Sequence, residues 1–183
     1  PKGGMLSVSL SAEALRPYLG DDLDLGAVNG PLLSVASGPQ AALDALSARL
    51  EADGVDHQRI AIDIAAHSRM LEPILKDFGD YLRSIPLNAP TLPLTSNRTG
   101  ALMTVEQATD PDYWVQHLCG TVHFADCVGV LADDNRVFLE MGPGKALSSL
   151  ARQHEAVSAN QVLSVLRHPQ EAIADDKHLF EVL

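Results

Sequence analysis

Alternation of apolar and polar residues predicts a series of short strands in the first third of the chain. The predicted strands cover residues 5–10, 23–29, 32–37 and 57–64. Between the second and third of them, Asn29-Gly30-Pro31 has the residue types of a tight turn. The pattern therefore places a hairpin between two further strands.

Two helices are predicted between these strands. The first covers residues 11–19 with Ser11 as its N-cap, and the second covers 38–54, with Pro39 in its first turn and Gly54 at its end. Apolar residues recur at helical spacing along the second helix as Leu43, Leu46 and Leu50. The resulting β-α-β-β-α-β order is typical of a ferredoxin-like, split-βαβ subdomain.

The pattern changes after residue 67 to longer helices with fewer strands. Amphipathic or capped helices are predicted over residues 68–85, 110–118, 124–134, 145–154 and 175–183, and strands over 90–97, 136–144 and 161–166. The strand over 136–144 is predicted to be buried and to end in a glycine turn. This part resembles an α/β layer with too few strands for a complete sheet.

Composition narrows the function classes. The chain has 183 residues and a formal net charge of −11, with no basic stripe, which argues against a nucleic-acid partner. The apolar runs are shorter than the roughly 20 residues that cross a bilayer, so no membrane span is predicted.

Cys119 and Cys127 lack the spacing of zinc or redox sites. Two buried thiols in a reducing cytoplasm are the expected state.

His67 is the first candidate for chemistry, because it lies where a strand pattern gives way to a helical one. A neutral imidazole beside a helix N-terminus can take a proton from a hydroxyl or thiol nucleophile. A structural histidine bonded to a nearby carbonyl is the alternative. Ser68 is expected to cap the following helix rather than to act as the nucleophile, since adjacent side chains at a strand end point to opposite sides.

The chain carries no Gly-x-Ser-x-Gly nucleophile segment. The pattern of residues 140–147 predicts a strand, a glycine turn and the start of a helix, with Lys145 nearby. The backbone N–H groups of such a turn can hold an anion. A tight turn between core elements is the favoured interpretation of this segment.

His117 follows Trp114 in one helix and is expected near the same cleft as His67. The histidine spacings predict no metal site.

The sequence resembles the acyltransferase domain of modular type I polyketide synthases. The resemblance rests on the ordered segments "GGMLSV", "AVNGPLLSVASGP", "AAHSRMLEPIL", "LTSNRTG", "DPDYWVQHLCGTVHFADCV", "FLEMGPGKAL" and "SVLRHP". The chain is also similar to the malonyl-CoA:acyl-carrier-protein transacylases of fatty acid synthesis. This resemblance covers nearly the whole chain.

The resemblance implies a ferredoxin-like small subdomain at residues 4–61 and the C-terminal part of an α/β-hydrolase-like large subdomain at 62–160. Residues 161–183 would form a linker towards a ketosynthase. The family's GHSxG nucleophile and its carboxylate-binding arginine belong to an upstream segment, so the chain is expected to be part of a longer polypeptide. This chain on its own is then expected to be inactive.

By the same resemblance, His67 is the base of a Ser-His dyad that moves an extender acyl group from CoA to an acyl carrier protein. Asn29, Ala66 and His117 match positions at the substrate cleft. The family's HAFH usually accompanies malonyl and YASH methylmalonyl selection, whereas this chain has Ile64-Ala65-Ala66-His67. Ala66 in place of Phe favours a branched extender. No cofactor is expected, because the phosphopantetheine arms of CoA and carrier protein are substrates.

Two other functions remain open at this point. The chain could be a non-catalytic docking unit that contacts the acyl carrier protein or the ketosynthase. A hydrolase that clears misloaded acyl groups is a narrower alternative, since the same dyad can use water as acceptor.

Overall fold

An antiparallel sheet of four strands organises the first part of the chain. The structure, a computed structural model, describes residues 2–133 and 135–182. The strands are β1 (Gly4–Val8), β2 (Asp24–Gly30), β3 (Leu33–Gly38) and β4 (His57–Arg59). Their order is β2-β3-β1-β4, with every neighbouring pair antiparallel. The predicted split-βαβ pattern is confirmed by this order.

Helices α1 (Ala12–Leu19) and α2 (Gln40–Ala52) form the core with this sheet. Ser11 caps α1 as predicted, because its hydroxyl accepts the N–H of Ala14 at 3.2 Å. The predicted stripe of α2 is also present, and Leu43, Leu46 and Leu50 are at most 1% exposed. Each such leucine contributes about 2 kcal/mol by its burial. The helices therefore fix one face of the sheet and leave the other for the segments that follow.

β4 is shorter than the predicted strand over residues 57–64. Its register with β1 runs only from His57 to Arg59, and the N–H of Ile60 then bonds to Met5 O at 3.0 Å. Beyond this point the chain bends, since the N–H of Ile62 bonds to Ile60 O at 2.8 Å. Ile62 and Ile64 are 41% and 53% exposed. The apolar alternation in this segment therefore does not mark a buried face, and the strand prediction was wrong beyond residue 59.

The helix predicted over residues 68–85 is divided in two. A 3-10 helix covers Arg69–Ile74, and α3 covers Leu75–Arg83. Pro73 lies within the first piece, and its missing N–H and bulky ring are incompatible with a regular α-helix there. The side chain of Ile74, at the end of the first piece, is 44% exposed.

The remaining elements up to residue 131 are short. They are β5 (Thr95–Ser96), β6 (Ala101–Leu102), α4 (Val105–Thr109), α5 (Pro111–Cys119) and α6 (Phe124–Leu131). β5 and β6 pair antiparallel, so the strand predicted over 90–97 is reduced to one side of a small hairpin. Asp110 caps α5, since its carboxylate accepts the N–H of Asp112 at 2.9 Å.

The last part of the chain contains β7 (Phe138–Pro143), α7 (Ala146–Ala151), a 3-10 helix (Ala159–Gln161), β8 (Val162–Leu166) and α8 (Asp175–Val182). β7 and β8 pair in parallel. The prediction of a buried strand here was wrong, because Leu139 and Met141 are 51% and 68% exposed. Residues 134 and 183, which the pattern assigned to helices, lie outside the described residues.

Contacts divide the chain into two compact units, Pro1–Cys127 and Val128–Leu183. The first contains the sheet of β1 to β4, and the second contains the β7–β8 pair. The subdomain boundaries predicted at residues 61 and 160 stay predictions.

Ser34 provides a test of how the sheet packs. It is fully buried in β3, and within residues 2–133 and 135–182 its Oγ is the buried side-chain polar atom that has no hydrogen-bond partner. Since an unsatisfied buried hydroxyl is destabilising, Ser34→Ala should raise the free energy of unfolding by about 1 kcal/mol. Urea unfolding followed by circular dichroism measures this change. A lower free energy of unfolding in the variant would contradict the description of the Ser34 hydroxyl as buried and unsatisfied.

Candidate active site

His67 occupies a turn with unusual backbone geometry. Its φ is +55°, which makes it the one non-glycine residue with positive φ in the described ranges. A side chain in this left-handed region costs of order 1–3 kcal/mol and persists only where surrounding contacts hold it. The expected position at a strand end was wrong, because β4 ends eight residues earlier, at Arg59. Contacts from Ser68, Arg69 and Ala66 hold the turn instead.

Ser68 closes the turn on its C-terminal side. Its hydroxyl donates to Ala65 O at 2.7 Å and accepts the N–H of Met70 at 3.3 Å. Ser68 is fully buried and caps the 3-10 helix. The predicted capping role is confirmed, and the hydroxyl is committed to the backbone rather than to His67.

Arg69 ties the same turn to β2. Its guanidinium donates to the carboxylate of Asp24, with the closest contact at 2.7 Å, and its N–H donates to the same carboxylate at 2.8 Å. Hydrogen bonding to Asp24 raises the pKa of Arg69. Such bidentate pairs fix orientation more firmly than single contacts do.

Ala66 joins the turn to β3. Its carbonyl accepts the hydroxyl of Ser37 at 2.5 Å, and its half-buried side chain packs against the cluster of Met5, Ala27 and Val35. Ser37 is fully buried. The residue before His67 is therefore held on the sheet face opposite α1 and α2.

The imidazole of His67 is oriented by the carbonyl of Gly120, which lies 3.1 Å from Nδ1. A carbonyl oxygen can only accept, so Nδ1 must carry the proton. In the neutral imidazole, Nε2 then keeps its lone pair, which is the state that a general base requires.

Gly120 follows α5 and is held by a short extension of the sheet. The hydroxyl of Thr121 donates to Leu25 O at 2.7 Å. The N–H of Val122 donates to Gly26 O at 2.9 Å, and the N–H of Val28 donates to Val122 O at 2.8 Å. The carbonyl that receives Nδ1–H is thus carried by a segment paired with β2.

His117 lies one helical turn before Gly120 and is brought to His67, as the sequence predicted. The two ring centroids are 6.0 Å apart, and His117 stacks on Trp114 at 6.1 Å with an interplanar angle of 18°. Burial lowers the pKa of His117, and His67 and Arg98 lower it further. His117 therefore favours the neutral form beside the candidate base.

Asn29 lies half-buried in β2, one residue after Val28. In the described ranges, no hydrogen bond joins its side chain to His67 or His117. Its assignment to the substrate cleft stays a prediction.

Sequence reasoning did not identify Ser37, Gly120 or Thr121. Ser37 and Thr121 bond to carbonyls 29 and 96 residues away in the chain. Nothing in the local pattern around either residue signals such a partner.

The backbone N–H groups at the end of the glycine turn of residues 140–147 are already bound by a carboxylate of the same segment. The Glu140 carboxylate accepts the N–H groups of Leu147 and Ser148 at 3.0 and 2.8 Å, at the start of α7. Burial raises the pKa of Glu140, but these bonds outweigh it and keep the pKa below its usual range. Lys145 pairs with Glu171 at 2.9 Å. The favoured interpretation as a tight turn agrees with this geometry.

Both cysteines are free, but only Cys127 is buried. Its thiol donates to Ser96 O at 3.3 Å. Cys119 is half-buried and lines an open cleft of about 440 Å³ together with Arg16, Leu23 and Arg69. Burial raises the pKa of the Cys119 thiol, so the neutral form is favoured.

Metal-binding clusters and membrane spans are not found in the described parts of the chain. In those parts, no group of three or more His, Cys, Asp or Glu residues is arranged to hold a metal ion. Over the same residues, no helix combines the length and the apolar character needed to span a membrane.

Known proteins resemble this chain along almost its full length. The family model described as "Acyl transferase domain" matches residues 1–176. The mycoketide-CoA synthase of Mycobacterium tuberculosis is 34% identical over 169 residues, which are 91% of this chain and 4% of that protein. The polyketide synthase GfsA of Streptomyces halstedii is 35% identical over 158 residues, which are 84% of this chain and 2% of that protein. The chain therefore spans only a small part of these much longer relatives.

Solved structures agree with this match. The acyl transferase domain of SpnD, in complex with 2-(pent-4-yn-1-yl)malonyl, is 37% identical with a TM-score of 0.93, covering 99% of this chain and 45% of that one. The acyl transferase domain of ZmaA is 33% identical with a TM-score of 0.90, covering 100% and 43%. The chain thus spans less than half of each solved domain. By sequence and by fold, this chain belongs to the acyl transferase domain family.

Proposed function

We propose that this chain supplies the general base of a polyketide synthase acyltransferase, which loads an extender acyl group from CoA onto an acyl carrier protein. The observation that carries the proposal is the hydrogen bond from His67 Nδ1 to Gly120 O at 3.1 Å. In the neutral imidazole, this bond leaves Nε2 free to accept a proton. Family membership supports acyl transfer as the reaction class.

The chemistry needs a nucleophile that this sequence does not contain, since no Gly-x-Ser-x-Gly segment is present. A serine from the upstream part of the domain would attack the acyl-CoA thioester while His67 Nε2 takes its proton. His67 then protonates the departing CoA thiolate. In the second half, His67 takes the proton of the phosphopantetheine thiol, the thiolate attacks the acyl-serine ester, and serine regains its proton.

An incomplete sheet supports the need for an upstream segment. Parallel strands are usually covered on both faces, whereas Leu139 and Met141 of β7 are more than half exposed. The solved SpnD domain is more than twice as long as the part matched here. We infer that the remainder of the domain covers this face and brings the nucleophile. The chain by itself is then inactive, and the acyl carrier protein and ketosynthase are partners of the complete synthase.

Substrate selection is proposed to involve Asn29, Ala66 and His117. Ala66 stands where the HAFH pattern associated with malonyl selection has Phe, and its smaller side chain favours methylmalonyl or another branched extender over malonyl. The SpnD relative, solved with a branched malonyl group, is consistent with this preference. Neutral His117 adds no positive charge next to His67.

The proposal is tested by co-expressing the chain with an upstream acyltransferase segment that carries Gly-x-Ser-x-Gly. Transfer of labelled extender from CoA to acyl carrier protein should be restored, and His67→Ala should lower it by about 100-fold or more, the contribution typical of general base catalysis. His123→Ala is the matched control, because that histidine pairs with Asp126 instead. Full transfer in His67→Ala would reject the proposal.

The same assay separates the alternatives. A docking unit would bind acyl carrier protein without transfer in any combination, and binding would be unchanged in His67→Ala. A hydrolase would release free acid rather than acyl carrier protein thioester. Either result replaces the acyltransferase proposal.

His117 gives a pH-dependent prediction. Its pKa is lowered in the folded chain, so the unfolded chain binds more protons as the pH falls through the ordinary histidine range near 6.5. Stability contributed by neutral His117 is therefore present at alkaline pH and is lost on acidification. His117→Asn should lose less stability between about pH 8 and about pH 5.5 than the parent chain.

Urea unfolding at both pH values measures this difference. His123→Ala serves as the control, since it removes a histidine that lies apart from Trp114 and pairs with Asp126. Equal losses in the parent chain and His117→Asn would contradict the burial assigned to His117.

A further inference from the structure

We propose that Ser37 and Thr121 are positioning residues that fix the tautomer and the direction of the His67 imidazole. The inference rests on the proposed role of His67 as general base. It goes further in assigning the control of that base to two hydroxyls on the small four-stranded sheet. Neither hydroxyl contacts the imidazole itself, so each acts through the backbone.

Ser37 acts on the backbone immediately before His67. Its buried hydroxyl donates to Ala66 O at 2.5 Å. That carbonyl belongs to the peptide plane joining residues 66 and 67, and the rotation of this plane about the N–Cα bond of His67 is the φ of His67. Fixing the carbonyl therefore holds φ at +55°, which an L-residue otherwise avoids.

The close approach of the turn to the sheet supports this role. At Gly26 of β2, an added Cβ would lie 3.1 Å from the Cβ of Ser37 and 3.5 Å from Ala66 O. At Gly3, an added Cβ would lie 2.6 Å from the Cβ of Ala65. Glycine at both positions lets the turn lie directly on the strands, where the short serine side chain reaches its carbonyl.

Thr121 acts on the other partner of the imidazole. Its hydroxyl donates to Leu25 O at 2.7 Å, next to Gly120, whose carbonyl accepts His67 Nδ1–H. The backbone bonds of Val122 to β2 continue the same attachment. The acceptor of the imidazole proton is thus tied to β2, while the turn that carries the imidazole is tied to β3 by Ser37 and, through Arg69, to β2 as well.

β2 and β3 are neighbours in one sheet, joined in antiparallel register. Both partners of the hydrogen bond are therefore attached to adjacent strands of one sheet, which lie about 4.8 Å apart, rather than to flexible loops. Loss of either hydroxyl should loosen one end of this arrangement. Nδ1–H would then lose its fixed acceptor, and the ring would exchange between its two neutral tautomers.

The test is the tautomer of His67, read from the ring nitrogen shifts of the ¹⁵N-histidine-labelled chain in alkaline buffer, with His67→Gln identifying the signals. In the parent chain, we expect a protonated Nδ1 and an unprotonated Nε2. Ser37→Ala and Thr121→Val should both lose this single tautomer and show averaged shifts. Thr121→Ser, which keeps the hydroxyl, should restore the parent spectrum.

Ser34→Ala is the matched control. It removes an equally buried hydroxyl from the same strand, but this hydroxyl has no hydrogen-bond partner in the described part of the chain. Its histidine shifts should equal those of the parent. Thr121→Val is nearly isosteric, so it keeps the test valid if Ser37→Ala fails to fold. An unchanged tautomer in folded Thr121→Val would overturn the proposal.

Failure of this inference is distinct from failure of the proposed function. In the co-expressed acyltransferase, loss of transfer in His67→Ala with parent-like kcat in Thr121→Val would retain the base and remove the positioning role. Averaged tautomers in Thr121→Val would support positioning even if no transfer is restored. A lower kcat at unchanged KM in Thr121→Val, recovered by Thr121→Ser, would support both.

Discussion

The hydrogen bond from His67 Nδ1 to the carbonyl of Gly120 is the interaction on which the candidate site depends. In the neutral imidazole it decides which nitrogen carries the proton, and so which one is left to accept another. The bond joins residues 53 positions apart in the chain. Such a contact exists only because the four-stranded sheet holds both segments on the same face. The small sheet therefore positions the imidazole of the candidate base.

The sequence predicted the fold well where one face of an element is buried by its own neighbours. Leu43, Leu46 and Leu50 repeat at helical spacing because α2 has one buried side, and that side is the core. The prediction failed where burial does not follow the pattern. Ile62 and Ile64 alternate like strand residues but are exposed, and Pro73 changes the kind of helix without disturbing its apolar periodicity.

The candidate site could be predicted only in part for a related reason. His67 and His117 are visible in the sequence, because one lies at a change of pattern and the other shares a helix with Trp114. Ser37 and Thr121 look like ordinary strand and loop residues, since their partners are backbone carbonyls brought close by tertiary structure. A backbone acceptor has no sequence signature. The chemistry of a site is thus easier to anticipate from sequence than the contacts that orient it.

The open β7–β8 pair has a practical consequence for handling the chain. Two parallel strands leave one unpaired edge each within the described residues, and Leu139 and Met141 lie uncovered beside them. Unprotected edges next to apolar side chains recruit strands from other molecules. Concentrated preparations should therefore tend towards reversible oligomers and precipitation, and a fusion that shields this edge would keep the material dispersed.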